Sequence, residues 1–353
     1  MTMTINSDAL KIVAQLNKKL GANTVVAASQ VVVNPRITSG SLTLDVVLGG
    51  GWAMNRWVEL IGEASHGKTA IALRTIAANQ KINPNFTAVW IAAEDFDAKY
   101  AELCGVDTDR VILVETNNME DAYGAVIQFM ESKAVDMVVI DSLPALVPGA
   151  EDEKEMDEFT VGRGALITNK FFRKVASATK RDLIDSERPV LGMMINQYRM
   201  KIGVMHGDPR TTPGGLGKDY AYSIRCEVKR DDWLEVGVGQ EKRRVGQTIR
   251  VRTIKNKTFP PQQTAYLDFY FADGGPIDAG SYDSGKEIVA LSILNGIVDR
   301  RGGWMYYNDR KWQGAQALID SIREEVDLKE ELTVAVMDTL KSTPVLMLSS
   351  DEE

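Results

Sequence analysis

Runs of consecutive apolar residues recur through the middle of this chain, with amphipathic segments between them. Four of the runs lie at residues 89–92, 111–114, 137–140 and 190–195. Strands that are apolar at every position are buried on both faces, which is typical of parallel sheets covered by helices. The pattern therefore predicts an α/β fold with a mostly parallel, twisted sheet.

Three later segments, at residues 224–228, 247–254 and 265–271, alternate apolar and polar residues instead. A period of two is typical of half-buried strands in antiparallel sheets. We expect these segments to extend one edge of the parallel sheet.

Near the N-terminus, apolar residues recur at helical spacing between Leu10 and Leu20, and Gly21 stands where a helix cap is expected. A β-branched run follows at residues 31–33. We interpret residues 1–35 as an oligomerisation helix and strand that pack on another copy of the chain rather than on its own core.

Beyond the sheet, helical patterns return at residues 288–297 and 315–322, with the aromatic segment 304–307 between them. They predict a small α+β C-terminal domain over residues 276–353, which ends in an acidic tail. The α/β core then spans residues 36–275.

Composition limits the class of protein. The chain has 353 residues, of which 44% are hydrophobic and 25% charged, as is typical of a soluble globular protein. No apolar stretch approaches the length of a transmembrane helix, and the N-terminus lacks the features of a signal peptide, so we expect a cytoplasmic location. Cys104 and Cys226 lie far apart without metal-ligand spacing, and we interpret both as buried thiols.

The formal net charge of −8 argues at first against a nucleic-acid partner. The charge is unevenly distributed, however, and basic clusters lie at residues 173–174, 199–201, 229–230, 242–244 and 255–257. Most such clusters are solvated surface. Those beside glycine-rich loops are candidates for contacts with phosphates.

The most specific motif is a G-x-x-x-x-G-K-[ST] loop at residues 62–69, between the apolar run 57–61 and the apolar start of a helix. In such a loop the backbone N–H groups curl around a phosphate, Lys68 reaches the β- and γ-phosphate oxygens, and Thr69 binds Mg²⁺. An ordinary glycine turn explains neither the lysine nor the threonine. The nucleotide-binding residues predicted here are Gly62, Glu63, Ala64, Ser65, His66, Gly67, Lys68, Thr69 and Ala70.

Two carboxylates follow predicted strands. Asp141 ends the run at residues 137–140, where a P-loop protein carries the acid that orders the water shell of Mg²⁺. Glu94 follows the run at residues 89–92 and would emerge at the same carboxyl edge, in a position to orient and deprotonate an attacking water. In isolation, a solvated loop acid is an equally good interpretation of Glu94.

Longer segments of the chain resemble a known family, the RecA-type ATPases of homologous recombination, and its bacterial members more than the archaeal or eukaryotic ones. Residues 195–205, Ile-Asn-Gln-Tyr-Arg-Met-Lys-Ile-Gly-Val-Met, and residues 207–215, Gly-Asp-Pro-Arg-Thr-Thr-Pro-Gly-Gly, look like the second DNA-binding loop of that family. Residues 37–45, 135–146 and 255–257 resemble further segments in the same order. The resemblance covers nearly the whole chain and implies a RecA-like P-loop core.

The resemblance implies roles at an ATP site. The residues to which it gives a role are Lys68 and Thr69 for the phosphates and Mg²⁺, Asp141 for the metal, Glu94 as the general base, and Asp97 and Tyr100 for the adenine. Tyr100 would act by stacking on the base.

The resemblance also implies residues that couple one subunit to the next. Gln197, at the start of the DNA loop, would sense the γ-phosphate and change the affinity for DNA. Lys255 and Lys257 would act in trans on the γ-phosphate of a neighbouring subunit, as arginine fingers do. Full ATPase activity would then require a filament, and we count these three residues as catalytic candidates beside Glu94 and Lys68.

Binding a single strand of DNA needs cations and backbone N–H groups for the phosphates, and apolar side chains for the bases. The segment from Arg199 to Gly215 supplies all of these. The resemblance adds Arg173 and a first loop near Gly162, in which Leu166 takes the place of the usual arginine. The predicted DNA-binding residues are Val161, Gly162, Arg163, Arg173, Arg199, Met200, Lys201, Ile202, Thr211, Thr212, Gly214 and Gly215.

Other positions also depart from the bacterial pattern. His206 stands at a position that is usually Phe, and Arg210 replaces an acidic residue. The usual Lys-Phe pair after the loop is Asp219-Tyr220, with Lys218 displaced by one position. These departures indicate a divergent member of the family, for which a phage or another mobile element is one source to consider, and they bear on communication between subunits.

The leading interpretation is a DNA-dependent ATPase that forms helical filaments on single-stranded DNA and promotes pairing and strand exchange with a homologous duplex in recombination and repair. One alternative is a regulatory paralogue that loads or remodels another recombinase, but retention of Glu94, Gln197 and the Lys255/Lys257 pair favours the enzyme. A hexameric helicase of the same superfamily is disfavoured by the N-terminal helix and by the sequence of the second loop.

Overall fold

A computed structural model describes the chain over residues 5–21, 24–31, 35–149, 162–180, 188–200 and 210–342. The helices are α1 (Ser7–Leu20), α2 (Leu42–Leu48), α3 (Lys68–Ile82), α4 (Ala98–Leu103), α5 (Met119–Ser132), α6 (Arg163–Lys180), α7 (Gly217–Ala221), α8 (Ser284–Leu294), α9 (Gly314–Glu324) and α10 (Val326–Ser342). The strands are β1 (Arg36–Ile37), β2 (Trp52–Ala53), β3 (Trp57–Ile61), β4 (Ala88–Ala92), β5 (Val111–Glu115), β6 (Met137–Asp141), β7 (Leu191–Asn196), β8 (Arg199–Met200), β9 (Arg210–Thr211), β10 (Ile224–Val236), β11 (Arg243–Asn256), β12 (Thr264–Tyr270), β13 (Ser281–Tyr282), β14 (Asp299–Arg301), β15 (Trp304–Tyr307) and β16 (Arg310–Gln313).

Nine strands form one large sheet in the order β13-β12-β11-β10-β3-β7-β6-β4-β5. From β10 to β5 each strand is parallel to its neighbours, and β11, β12 and β13 continue the sheet antiparallel at the other side. The predicted parallel sheet with an antiparallel extension is confirmed. Strand β10 belongs to both parts of the sheet, because it pairs parallel with β3 and antiparallel with β11. The alternating pattern of residues 224–228 did not reveal this double pairing.

The order of the strands decides what meets at the carboxyl edge. Strands β3, β7, β6 and β4 are consecutive in the sheet and parallel, so the residues that follow them emerge side by side. These residues are the P-loop after β3, Gln197 after β7, Asp141 at the end of β6, and Glu94 after β4.

Helices cover both faces of the sheet. On one face, α3 packs through Leu73 into a core that includes Trp90. On the other face, α6 packs Phe171 edge-on against Trp57, with ring centroids 5.2 Å apart. Burial on both sides explains why β4 is apolar throughout and why β3 is apolar except at Glu59, whereas β5, at the open edge, leaves Ile112 exposed.

The helix α1 forms as predicted, with Asn6 as its N-cap and Gly21 after its last turn. No residue of α1 is buried, and Leu10 and Leu20 are more than half exposed. Val31 lies in a bend rather than in a strand, and the rest of the β-branched run is outside the described residues. Packing of this helix on another copy remains a prediction.

The C-terminal region has its own small core. Strands β14, β15 and β16 form a separate antiparallel sheet, and α8, α9 and α10 pack with it around Met305, Leu318 and Leu332. The predicted aromatic segment is β15. Glu287 of α8 joins this region to the main core, because its carboxylate accepts the hydroxyl of Ser41 at 2.6 Å, beside the N-terminus of α2.

In the described part of the chain, no helix is long and apolar enough to cross a membrane. Cys104 and Cys226 are buried free thiols, as predicted. Burial raises the pKa of Cys104 to about 11, so this thiol stays protonated at neutral pH.

Candidate functional site at the carboxyl edge of the sheet

The loop between β3 and α3 has the backbone geometry that phosphate binding needs. Gly67 has a φ of 93°, and a Cβ at this position would lie 2.4 Å from Cδ1 of Ile249, so glycine is required. Gly67 is also the N-cap of α3. The free N–H groups in the first turn of α3 are therefore available to an anion held by the loop.

Lys68 is buried, and its ammonium group is held against the loop. Its Nζ donates to the carbonyl oxygens of Gly62, at 2.9 Å, and Glu63, at 2.6 Å. Burial lowers the pKa of Lys68, while the carboxylates of Asp141 and Glu94 act in the opposite direction. The cation therefore already lies where phosphate oxygens would meet the loop.

The other residues of the predicted loop differ in exposure. Glu63, Ala64 and Ser65 are exposed, whereas His66 and Ala70 are buried. Burial, followed by the charge of Arg230, lowers the pKa of His66, which favours the neutral ring at pH 7.

Thr69 and Asp141 meet across the carboxyl edge, where Oγ1 of Thr69 donates to Oδ2 of Asp141 at 3.0 Å. Burial raises the pKa of Asp141 to about 6, while the hydrogen bond from Thr69 lowers it. A hydroxyl and a carboxylate are hard oxygen donors, and Mg²⁺ typically takes one or two carboxylates together with water and phosphate oxygens. This pair of donors fits Mg²⁺.

Glu94 lies beside Asp141. Its backbone N–H donates to the carbonyl oxygen of Asp141 at 3.1 Å, and its carboxylate accepts a hydrogen bond from the hydroxyl of Ser142. Ser142 is 1% exposed. Sequence reasoning missed Ser142, whose only signal is its place directly after Asp141.

Asp97 and Tyr100, the predicted adenine residues, lie at the start of α4. Asp97 is the N-cap, and its Oδ1 accepts the backbone N–H of Tyr100 at 3.1 Å. Tyr100 packs against the core cluster that contains Trp90, and burial raises its pKa. Both residues follow β4, as Glu94 does, and their contact with a base stays a prediction.

The small sheet β8-β9 joins the two ends of the second loop. Its pairs are Arg199 with Thr211 and Met200 with Arg210. Arg199 and Met200 are exposed, so a cation and an apolar side chain stand next to each other at the base of the loop. Three predicted DNA-binding residues lie outside the described residues: Val161, Lys201 and Ile202.

Arg210, one of the departures from the family pattern, has a defined partner. Its Nη1 donates to Oε1 of Glu227 on β10 at 2.8 Å. The guanidinium also lies over the ring of Tyr198, 4.8 Å from its centre, and the hydroxyl of Tyr198 donates to the same carboxylate at 3.1 Å. Glu227 is a second residue that sequence reasoning missed.

Helix α6 packs against the glycine-rich end of the second loop. Gly215 has a φ of 75°, and a Cβ there would lie 2.9 Å from Cβ of Ala165. The structure thereby brings α6, which carries the exposed Arg163 and Arg173, next to this loop. Leu166, at the usual arginine position, is 70% exposed on the same helix. The remaining predicted DNA residues, Gly162, Thr212 and Gly214, flank the same two segments.

Lys255 and Lys257 lie away from the P-loop of their own chain. In the register of the sheet, Lys255 on β11 lies opposite Arg225 on β10, and Arg225 lies opposite Glu59 in the middle of β3. Within the described residues, neither lysine has a hydrogen bond or ion pair to the P-loop. The fold does not bring them to Lys68, and action in trans stays a prediction.

Both lysines are held by the backbone of α7. Nζ of Lys255 donates to the carbonyl oxygen of Asp219, and Nζ of Lys257 donates to that of Tyr220 at 3.0 Å. Burial, together with the charge of Lys257, lowers the pKa of Lys255 to about 8. Tyr220 itself is 80% exposed.

Comparison with known proteins gives consistent matches. The family model described as the RecA N-terminal domain matches residues 8–276. Protein RecA of Lactococcus lactis subsp. cremoris (strain MG1363) is 36% identical over 299 residues, which cover 84% of this chain and 73% of that protein. Protein RecA of Staphylococcus carnosus is 38% identical over 299 residues, covering 84% and 79%. Protein RecA of Porphyromonas gingivalis is 35% identical over 325 residues, covering 92% and 88%.

Proposed function

The chain belongs to the RecA family, and from this premise we propose how its residues carry out the reaction of that family. It is a DNA-dependent ATPase that acts as a recombinase in homologous recombination and repair, and filament formation is typical of the family. One observation above all supports the assignment of the ATP site: the P-loop, Asp141 and Glu94 lie together at one edge of the sheet.

At this edge, the P-loop and Lys68 bind the β- and γ-phosphates of ATP. Thr69 and Asp141 hold Mg²⁺, which when bound neutralises negative charge on the phosphates. Asp97 and Tyr100 hold the adenine from the start of α4. The hydrogen bond between Thr69 and Asp141 supports this assignment, because it places both oxygen donors within reach of one cation.

Glu94 is the general base. The hydroxyl of Ser142 fixes one oxygen of its carboxylate, which leaves the other to accept a proton from the attacking water. Gln197 follows β7, and β7 lies between β3 and β6 in the sheet. This position supports a role for Gln197 in reading the γ-phosphate at the point where the second loop begins.

The second loop and α6 bind DNA. Arg163, Arg173 and Arg199 neutralise phosphates, while Met200 offers an apolar surface to the bases. Glycines of the loop let its backbone approach the strand, as Gly215 already approaches α6. We propose single-stranded DNA as the first partner and a homologous duplex as the second, in the cytoplasm.

Neighbouring copies complete the enzyme. The exposed apolar side chains of α1 support packing on another copy, and the open edge strand β5, with Ile112 and Leu113 exposed, offers a surface for it. Lys255 and Lys257 then reach the γ-phosphate bound by the adjacent subunit. In this arrangement residues 1–35 assemble the filament, residues 36–275 carry the ATP and DNA sites, and residues 276–353 form the small C-terminal domain.

The experiment is ATP hydrolysis with and without single-stranded DNA, followed by negative-stain microscopy of the same samples. A recombinase hydrolyses ATP faster with DNA, and helical filaments are visible when ATP and DNA are both present. Hydrolysis that is indifferent to DNA, with rings or no assemblies, would contradict the proposal.

A further inference from the structure

Four charged side chains lie beneath the base of the second loop: Glu59 on β3, Lys218 and Asp219 on α7, and Arg225 on β10. We call them the buried quartet. Glu59 and Lys218 are 0% exposed, although charged groups are rarely buried completely, whereas the side chains of Arg225 and Asp219 are 16% and 28% exposed. Neither the ATP site nor the DNA contacts described above account for them.

The members of the buried quartet pair with one another in a closed ring. The carboxylate of Glu59 lies 3.2 Å from Nζ of Lys218 and 2.6 Å from Nε of Arg225. Oδ1 of Asp219 lies 2.7 Å from Nζ of Lys218 and 3.1 Å from Nη2 of Arg225. Two acids thus balance two bases. Such a network fixes geometry more than it adds stability, because each charge removed from water depends on its partners.

The quartet holds both ends of the second loop. Oε1 of Glu59 accepts Nδ2 of Asn196 at 2.7 Å, and Oδ1 of Asn196 accepts the backbone N–H of Gln197 at 2.9 Å. At the other end, Nζ of Lys218 donates to Oγ1 of Thr212 at 2.6 Å. A movement of either end of the loop therefore changes a hydrogen bond to a member of the quartet.

The quartet also reaches the lysines that act in trans. Asp219 is a member of the ring through its carboxylate, and its carbonyl oxygen accepts the ammonium group of Lys255. The next residue, Tyr220, holds Lys257 through its carbonyl oxygen. One short helix, α7, thus carries contacts to the loop, to the buried charges and to both lysines.

We propose that the buried quartet is a positioning unit that couples DNA binding by the second loop to the placement of Lys255 and Lys257, an inference that rests on the proposed function. When DNA shifts the loop, Asn196 and Thr212 move with it, and the ring carries the shift to α7. The two lysines move with α7 toward or away from the neighbouring γ-phosphate. Because coupling is reciprocal, ATP strengthens DNA binding by the same route.

Two members of the buried quartet lie where this chain departs from the family pattern. Asp219 stands at a position that is usually lysine in the family, and Lys218 supplies the cation from the preceding position. The structure accounts for the pair of changes together, since Asp219 bonds to both Lys218 and Arg225.

The test compares Lys218→Met, Glu59→Gln and the double variant in the full-length chain. Methionine keeps most of the length of lysine and removes its charge. The coupling is measured as the ratio of Kd values for a fluorescein-labelled oligo(dT) with ADP and with ATPγS, by anisotropy. We expect Lys218→Met to reduce this ratio about tenfold, within the usual range of coupling between sites. The double variant removes one positive and one negative charge, so the net charge of the quartet stays zero. We therefore expect the double variant to lose less of the Kd ratio than the two single losses predict together.

Two further variants separate positioning from stability. Asp136→Asn breaks another ion pair, in which the buried Asp136 lies 2.7 Å from Nη2 of the partly exposed Arg188, away from the loop. It lowers the melting temperature but keeps the wild-type Kd ratio. Thr212→Val removes the hydroxyl that accepts Lys218 at the end of the loop and leaves every charge in place. Any DNA contact of Thr212 would be lost with both nucleotides, so a reduced ratio reports the link to Lys218.

The outcomes divide clearly. A wild-type ratio in Lys218→Met would overturn the inference, as would equal losses in Lys218→Met and Asp136→Asn. If Lys218→Met is insoluble, a wild-type ratio in Thr212→Val would overturn it instead. A wild-type protein that binds oligo(dT) equally with both nucleotides would contradict the proposed function itself, which separates that failure from failure of the quartet.

Discussion

At the proposed ATP site the chain positions its functional groups by backbone geometry, whereas beneath the second loop it positions them by a ring of ion pairs. The P-loop, Asp141 and Glu94 each follow a strand of the same parallel sheet, and Gly67 and the N-terminus of α3 complete the site. At the base of the second loop, by contrast, Glu59 and Lys218 come from separate elements and meet only through their side chains.

The difference suggests that the two regions have different tasks, phosphate binding in one and transmission of a signal in the other. A site fixed by a sheet keeps its geometry whether or not its ligand is bound, which suits an electrostatic clamp on phosphates. A ring of ion pairs changes its geometry as a unit when one member moves, which suits the transmission of a signal. The following predictions separate the two regions, from the largest expected effect to the smallest.

Removing the cation of the clamp should have the largest effect. Lys68→Ala takes away the counterion of the β- and γ-phosphates, and we expect ATP turnover to fall to the background rate. Assembly on DNA should fail as well. Steady-state hydrolysis and negative-stain microscopy measure both.

The matched control is Lys81→Ala, which removes an exposed lysine from the other end of the same helix. It should behave as wild type. Near-normal hydrolysis by Lys68→Ala would contradict the assignment of the P-loop.

Removing the general base should slow turnover without loss of binding. We expect Glu94→Gln to hydrolyse ATP more slowly by a factor of about 10² to 10⁴, with ATP affinity retained. Filaments should then persist longer on DNA, which dissociation kinetics can follow. Ser142→Ala, which frees the carboxylate of Glu94, should have a smaller effect in the same direction. Rapid dissociation with normal turnover in Glu94→Gln would argue against its role.

Mixing two inactive variants tests action between subunits. Lys255→Ala/Lys257→Ala should fail alone, as should Lys68→Ala. In an equimolar random filament, about a quarter of all subunit junctions combine an intact P-loop with intact lysines. ATP hydrolysis should therefore recover to about that fraction of the wild-type rate. If hydrolysis does not recover in filaments that are shown to contain both variants, the lysines act in cis or have only a structural role.

The pH dependence of turnover should report on Lys255. Its pKa is lowered to about 8, so the ammonium group loses its charge as the pH rises through this value, and contact with phosphate shifts the loss upward. DNA-stimulated turnover should therefore decline at or above pH 8. In Lys255→Arg the guanidinium stays charged, and the decline should disappear. An unchanged alkaline profile in that variant would assign the decline to another group.

The smallest effect concerns a single phosphate contact. Arg199→Ala should weaken binding to single-stranded oligonucleotides of any sequence and reduce the slope of log K against log salt by about one unit. The control Arg300→Ala removes an exposed arginine from β14 in the C-terminal region. An unchanged slope in Arg199→Ala would remove this residue from the DNA site.

Local sequence was sufficient to predict the sheet and to predict that the groups proposed for the ATP site follow its strands. Each functional group there follows an apolar run, and parallel strands bring their carboxyl ends to one edge whatever the details of packing. The strand order itself was not predicted. Neither was the double pairing of β10, because alternation along a strand says nothing about the direction of its neighbours.

The base of the second loop could not be predicted in the same way. Glu59 is visible in the sequence as a charge inside an apolar strand, but its partner Arg225 lies 166 positions away. The sequence shows Lys218 as a displaced lysine, but nothing in the sequence indicates its complete burial. Glu227 and Ser142 were missed for a similar reason, since their contacts with Arg210 and Glu94 depend on tertiary packing.

The central claim is that the ATP site is complete only when DNA aligns neighbouring subunits, and ATP turnover against oligo(dT) length tests it most directly. With DNA in excess over protein, oligonucleotides too short for two subunits should bind without raising turnover, and stimulation should rise cooperatively once adjacent subunits fit. Full stimulation by an oligonucleotide that holds a single subunit, or no stimulation at any length, would contradict the account.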